Sequence, residues 1–267
     1  MIKSNVLTKY SNQEDKLLIS KILDKIKICE TRNKITNTNF LDSRQQKLIL
    51  ELLQTHKITN YIQHGGFSNS ERACFIFYPS KISSDIVLKN INTIISAIYI
   101  KLPKELHNTY SHKNYLGGII KLGIERNKIG DILVLDDGAY IIAIKEIADI
   151  LVDLLLTLKR FSKSSVKLIE TQDLPQYEIK KEEIKIIIPS LRLDSIISEL
   201  AHTSRSKAIE FLNSERVFIN YELETKPSKL LKLNDIITIR GKGKFEVLNI
   251  QGHTKSGNII LQINKYI

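Results

Sequence analysis

Six cations, Arg192, Arg205, Lys207, Arg240, Lys242 and Lys244, fall in one short stretch toward the C-terminus. Two of them open the segment "SRSKAIEFL", residues 204–212, whose spacing is that of an amphipathic helix. A helix N-terminus carries a partial positive charge, so Lys or Arg there costs about 0.3–1 kcal/mol each. The cost reverses if an oxyanion sits at that end, met by free backbone N–H groups, the Ser204 and Ser206 hydroxyls and the two cations. The chemistry these residues suit is phosphate binding, and nucleic acid is the polymer that offers phosphates in series.

The surrounding pattern supplies elements to hold them. Leu193, Ile196, Ile197 and Leu200 follow i, i+3, i+4, i+7, so "RLDSIISEL" predicts a short amphipathic helix. "AHTS" then joins it to a second helix that Ser204 can cap, with Ala208, Phe211 and Leu212 as its buried stripe. "RVFIN" alternates as a strand, "ETKPSKLLKLND" is a turn-rich connection, and "IITIR" is a second strand running into "GKGK". Glycines there let cationic side chains approach a backbone closely.

Upstream, residues 14–30 predict a helix through Leu17, Leu18, Ile22, Ile26 and Cys29, and Asp42 is an N-cap for a second through Leu48, Leu52 and Leu53. Gly65-Gly66 marks a turn and "ACFIFYP" a buried strand. The middle reads strand ("IISAIYI"), helix ("HKNYLGGIIKLG"), a hairpin turning at Asp136-Asp137-Gly138, helix ("KEIADILVDLLLTL") and strand ("SVKLIE"). That is the split βαβ order also used by RNA-recognition folds, which stack bases on sheet aromatics. The strand residues here are mostly Ile, Leu and Val. The expected architecture is α+β in four parts. They are an N-terminal α/β domain over 1–85, an RRM-like βαββαβ domain over 86–172, a linker and strand over 173–189, and a C-terminal unit over 190–267.

The 267 residues are 42% hydrophobic and 26% charged, a globular composition. No apolar run reaches the roughly 18 residues of a membrane span, and the N-terminus lacks a signal peptide's apolar stretch. The expectation is a cytoplasmic protein without membrane contact. Cys29 and Cys74 stand far apart with no CxxC, which predicts two free core cysteines, no metal and no disulfide. No GxGxxG, Walker, HExxH or GxSxG motif is present, so no cofactor and no catalytic residue is expected. The net charge is +11, but only +4 lies from Ser190 onward, with 12 Lys and Arg against 8 Asp and Glu. Bulk charge therefore gives weak support to nucleic-acid binding, and local placement carries the argument.

"LRLDSIISEL…SRSKAIEFLNSERVFINYELETKPSKLLKLNDIITIRGKGK" resembles the S4 (αL) RNA-binding domain. Its hallmarks are a basic-Leu-Asp opening, a Ser-Arg helix start, a strand here reading Val217-Phe218-Ile219-Asn220, and a "GD-x-I" strand here reading Asn234-Asp235-Ile236-Ile237. Asn at the glycine position is compatible with a left-handed turn. Together with "LDSRQQKLILELL", "GGFSNSERACFIFYP", "HKNYLGGIIKLGIERNKIGDILV" and "RGKGKFEVLNIQGHTKSGN", the chain from about Leu41 resembles the bacterial YlmH-type S4-domain proteins. The family's His-Arg-Asp triplet reads His112-Lys113-Asn114 here.

The resemblance implies binding of structured rRNA, with tRNA as a further partner, on the large ribosomal subunit. It also implies a part in ribosome-associated quality control, where a subunit still holds peptidyl-tRNA. The expected RNA-binding set is Arg192, Ser204, Arg205, Ser206, Lys207, Asn220, Arg240, Lys242 and Lys244. A second RNA surface is expected from His112, Lys113, Arg126 and Lys128, in a protein acting as a monomer. Two rivals stand beside this reading. An S4-linked RNA-modifying enzyme would use Asp194, because pseudouridine synthases carry their Asp in an Arg-Leu-Asp context. Against that, Asp194 falls at the domain's usual opening and too little chain follows for a synthase. A cell-division scaffold is the other, and it would leave the cations unused.

Overall fold

Helix α1 (Gln13–Arg32) begins where the Asn12 side chain accepts the Glu14 amide at 2.8 Å, and it ends at Asn33 in the left-handed region. Helix α2 (Ser43–Thr55) starts with a reciprocal box: Asp42 accepts the Gln45 amide and Gln45 accepts the Asp42 amide. The computed structural model describes residues 6–8, 10, 12–176 and 181–266. Both helices pack on a three-stranded antiparallel sheet in the order β1 (Thr36–Asn37), β3 (Cys74–Phe77), β2 (Tyr61–His64). Strand β3 is buried along its whole length. Its Phe75 and Phe77 meet the helices, while Cys74 and Ile76 face the other way.

The expected β-α-β-β-α-β order is present. It runs β4 (Ile95–Lys101), α4 (His112–Lys121), β5 (Ile129–Leu135), β6 (Gly138–Ile144), α5 (Lys145–Thr157) and β7 (Ser165–Ile169). The strands form an antiparallel sheet in the order β5-β6-β4-β7. Tyr115 and Ile119 of α4, with Leu151 and Leu155 of α5, seal one face over Ile98, Ile100, Ile141 and Ala143. On the other face Ile95, Ala97, Ile142 and Ile144 share a core with Cys74 and Ile76 of β3, with Phe40, and with Val87 of α3 (Ser84–Lys89). Gly138 lies where β6 meets β4 so closely that a Cβ would stand 1.8 Å from the Ile100 carbonyl oxygen. The sequence reading sets a domain boundary at 85/86, whereas residues 1–177 form one compact unit. The reason is the shared core: β3 is the wall between the two layers.

The second unit spans 178–267. Its elements are β8 (Lys181–Ile188), α6 (Leu193–Leu200), α7 (Arg205–Asn213), β9 (Val217–Ile219), β10 (Glu222–Leu223), β11 (Ile236–Ile239), β12 (Gly243–His253) and β13 (Ile259–Tyr266). They build a six-stranded antiparallel sheet in the order β10-β9-β11-β12-β13-β8. The stripes of α6 and α7 enter its core: Leu193, Ile196, Ile197, Leu200, Ala208 and Leu212 are buried, and Phe211 is half-buried against them. Of the segment expected as linker and strand, 177–180 lie outside the described residues. The remainder includes β8, which pairs with β13 along all eight of its residues and so belongs to this unit's sheet.

Candidate nucleic-acid interface

The acidic partner of the basic helix start lies within the chain. Arg205 donates to Asp194 Oδ2 at 2.7 Å, and Arg192 donates to the same carboxylate at 2.9 and 3.2 Å. Asp194 is 2% exposed and also accepts the Ser195 amide at 2.9 Å. Burial opposes its ionisation, but the hydrogen bonds from Arg192 and Arg205 outweigh burial and hold its carboxyl at about 2. Both oxygens are occupied and the group faces no opening, which does not suit a nucleophile that must meet a substrate. Asp194 sits at the start of α6 and orients two guanidinium groups, each still part-exposed.

Residues i and i+2 of a helix do not share a face, and Arg205 and Lys207 part company accordingly. Ser204 caps α7 by accepting the Lys207 amide at 3.3 Å, and the Lys207 side chain turns to a recess of about 510 Å³. His202, Arg216 and Lys242 line that recess with it, and Glu210 is the acid among its walls. Lys242 is anchored by donating to the Ala201 carbonyl at 3.0 Å, at the C-terminal end of α6 where carbonyls lack helical partners. Arg216 lies over the Phe211 ring at 4.5 Å and donates to the Arg240 carbonyl at 2.6 Å. Gly241 permits that approach: its φ is +84°, and a Cβ there would stand 2.8 Å from Arg216 Nη2.

The other expected residues are placed differently. Ser206 is exposed on the first turn of α7. Arg240 lies over Phe218 at 4.5 Å, and Lys244 over Tyr221 at 5.0 Å and Tyr266 at 4.7 Å. Asn220 is a clamp. With φ at 50° it donates to Asp235 Oδ1 at 2.8 Å and accepts the Ile236 amide at 2.9 Å, joining the ends of β9 and β11. Asn234 takes the left-handed turn expected of it, with φ at 67°.

In the first unit, His112 opens α4 after a box between Ser111 and Asn114. Arg126 donates to the Ile129 and Gly130 carbonyls at 2.6 and 3.1 Å, and Arg72 shares the Ile129 carbonyl at 3.2 Å. Burial and then the facing Arg72 pull Arg126 down to about 10; burial and then Arg126 lower His112. The structure thus brings His112 and Arg126 together and adds Arg72, which the sequence reading omits. Lys128 turns to Asn39 at 3.1 Å, and Lys113 is exposed on α4. Cys29 and Cys74 are free and buried. Among the described residues no helix is long and apolar enough to cross a membrane, and no group of three or more His, Cys, Asp or Glu is placed to hold a metal.

Residues 92–174 match the family model described as "Putative RNA-binding domain in YlmH". Over these residues the chain resembles YlmH-type proteins. A relative from Bacillus subtilis (strain 168), "Ribosome-associated protein quality control protein P2", is 26% identical over 249 residues, spanning 91% of this chain and 92% of its own. The solved structure "Cell division protein ylmH from Streptococcus pneumoniae" aligns with a TM-score of 0.50 at 23% identity, covering 62% of this chain and 98% of its own. At that identity the likeness concerns the fold.

Proposed function

We propose that this chain is a non-catalytic RNA-binding protein that acts on the large ribosomal subunit. Its RNA is structured rRNA, with tRNA in reach, and its setting is quality control of stalled peptidyl-tRNA complexes in the cytoplasm, where it acts as a monomer. The observation that carries the reading is the recess of the C-terminal unit, where His202, Lys207, Arg216 and Lys242 converge beside the N-terminus of α7. Cations from the start of α7, the loop that follows it and the turn between β11 and β12, with amides at a capped helix start, suit phosphate contacts that follow backbone shape. The family match over 92–174 and the name of the Bacillus relative support the partner class.

The expected residues divide by role in this proposal. Lys207 and Lys242 take phosphates directly, with the Ser204 and Ser206 hydroxyls at the helix start. Arg192 and Arg205, oriented by Asp194, offer their remaining N–H groups. Asn220, Arg240 and Lys244 shape the S4 surface. His112, Lys113, Arg126 and Lys128 form the second surface, with Arg72 added, and two tethered weak surfaces raise avidity if both are reached together.

The test is co-sedimentation of the full chain with purified large subunits across a salt series. The expected log–log slope is roughly −3 to −5, for about five phosphate contacts. Association indifferent to salt, or partners that survive removal of RNA by nuclease, would overturn the proposal in favour of a protein scaffold. A modified nucleotide in RNA treated with the chain, lost with Asp194→Asn, would overturn its non-catalytic part.

A further inference from the structure

Tyr99 on β4 and Tyr140 on β6 are direct cross-strand partners, and their rings stack with centroids 4.7 Å apart and planes 24° apart. They point away from α4 and α5, because their chain neighbours Ile98, Ile100, Ala139 and Ile141 enter the core beneath those helices. Two residues along each strand, Ala97 and Ile142 are sealed in the core shared with β3. The tyrosines stand beyond that seal and are part-exposed. Lys167 on β7 is the cross-strand partner of Tyr99, and Lys101 is the next residue of β4 on the same face; both are exposed. The row reads Leu133, Tyr140, Tyr99, Lys167 across four strands.

Of the two acids in the adjoining hairpin turn, Asp137 is already committed. It accepts the Tyr99 hydroxyl at 2.6 Å, which fixes that ring. Burial and this hydrogen bond raise the pKa of Tyr99, so its hydroxyl stays neutral toward an approaching anion.

We propose that the Tyr99–Tyr140 pair is a stacking platform for unpaired nucleotides of RNA, with Lys101 and Lys167 taking the flanking phosphates. A base has a π-face for an aromatic ring and a phosphate for each lysine. A duplex hides its base faces inside the helix, so the platform selects loops, bulges and ends. This rests on the RNA-binding reading above and adds a surface with different chemistry from the phosphate-binding recess.

The experiment uses the full chain and fluorescence anisotropy with two labelled probes, a single-stranded RNA of about eight nucleotides and a blunt-ended RNA duplex without a loop. Tyr99→Leu with Tyr140→Leu keeps apolar bulk and removes both rings. It should weaken single-strand binding roughly tenfold or more per ring, from the usual worth of a stacked base, and leave the duplex affinity unchanged. Tyr99→Phe with Tyr140→Phe keeps the rings and should stay within about threefold of wild type, since stacking is the term retained. An equal urea midpoint certifies the fold of each variant. A folded leucine variant that binds the single strand as wild type does overturns the platform, as does a phenylalanine variant that loses as much. Wild-type protein that binds the duplex and ignores the single strand overturns the platform alone. Wild-type protein that binds neither overturns the broader RNA reading with it.

Discussion

Lys207→Glu separates the fold's interest from the ligand's. Position 207 is the third residue of α7, and Ser204 already caps the helix by accepting its amide. Glutamate there would complete the reciprocal Ser-x-x-Glu box and place a negative charge at the positive end of the helix. Removing the lysine's penalty and adding the acid's gain are each worth about 0.3–1 kcal/mol. The new like-charge neighbour at i+3, Glu210, returns about 0.2–0.5 kcal/mol. The balance is a gain centred on about 1 kcal/mol, within a range of about 0.1–1.8 kcal/mol, readable as a higher urea midpoint. At the same time the recess loses one of the cations facing a phosphate, worth about 1.5–3 kcal/mol as a charged hydrogen bond. Association with large subunits should fall tenfold or more, and the salt slope should flatten by about 1. Denaturation and the salt series are run on the same preparation. A stabilised variant with wild-type affinity and slope would refute the recess as the RNA contact. A destabilised one would refute the account of the helix start.

Asp194→Asn should leave a folded protein with a changed acid limb. A carboxyl held at about 2 instead of 3.8 contributes its stability in full above pH 3.8 and loses it as pH falls toward 2. With Arg192 and Arg205 at 39% and 52% exposure, solvent screening reduces that contribution to about 1–2 kcal/mol. Urea denaturation at pH 5 and pH 2.5 should show the difference in wild type and a smaller one in the variant; parallel losses would contradict the ion-pair account. Asn220→Ala removes two hydrogen bonds and puts alanine at φ 50°, a cost of about 2–3 kcal/mol in urea titration. A loss under 1 kcal/mol would show that the clamp is not what joins β9 to β11. Arg126→Gln takes a cation from beside His112, whose titration followed by NMR should move upward toward its ordinary value of 6.5; an unmoved His112 would place the two groups apart.

The helical stripes were legible because burial imposes their period. Leu193, Ile196, Ile197 and Leu200 all enter the core, as their spacing requires. Local signals also carried through, with Asp42 at a cap and Asn234 in a left-handed turn. Contacts across the fold were harder to see. The partner of Arg205 is Asp194, eleven residues away on the preceding helix, and only the packing of α6 against α7 brings them together. The divergence of Arg205 and Lys207, by contrast, was available from helical geometry. The long β12–β13 hairpin hides because register shifts between Val247 and Asn249 and between Ile250 and Gly252 interrupt its alternation. Tyr99 and Tyr140 sit among Ile-rich strands, where composition masks them. Their signal is positional, since each alternates with buried residues on strands that the split βαβ order makes neighbours.

Strand β3 has a practical bearing on how this protein is dissected. Phe75 and Phe77 close one hydrophobic layer while Cys74 and Ile76 close the next, so the matched stretch 92–174 is not autonomous. An excised fragment would uncover Ile95, Ala97, Ile142 and Ile144 at once, and burying one such aliphatic side chain is worth about 1.5–3 kcal/mol. The bare patch would make that fragment prone to self-association, and adhesive enough to retain nucleic acid for reasons unrelated to recognition.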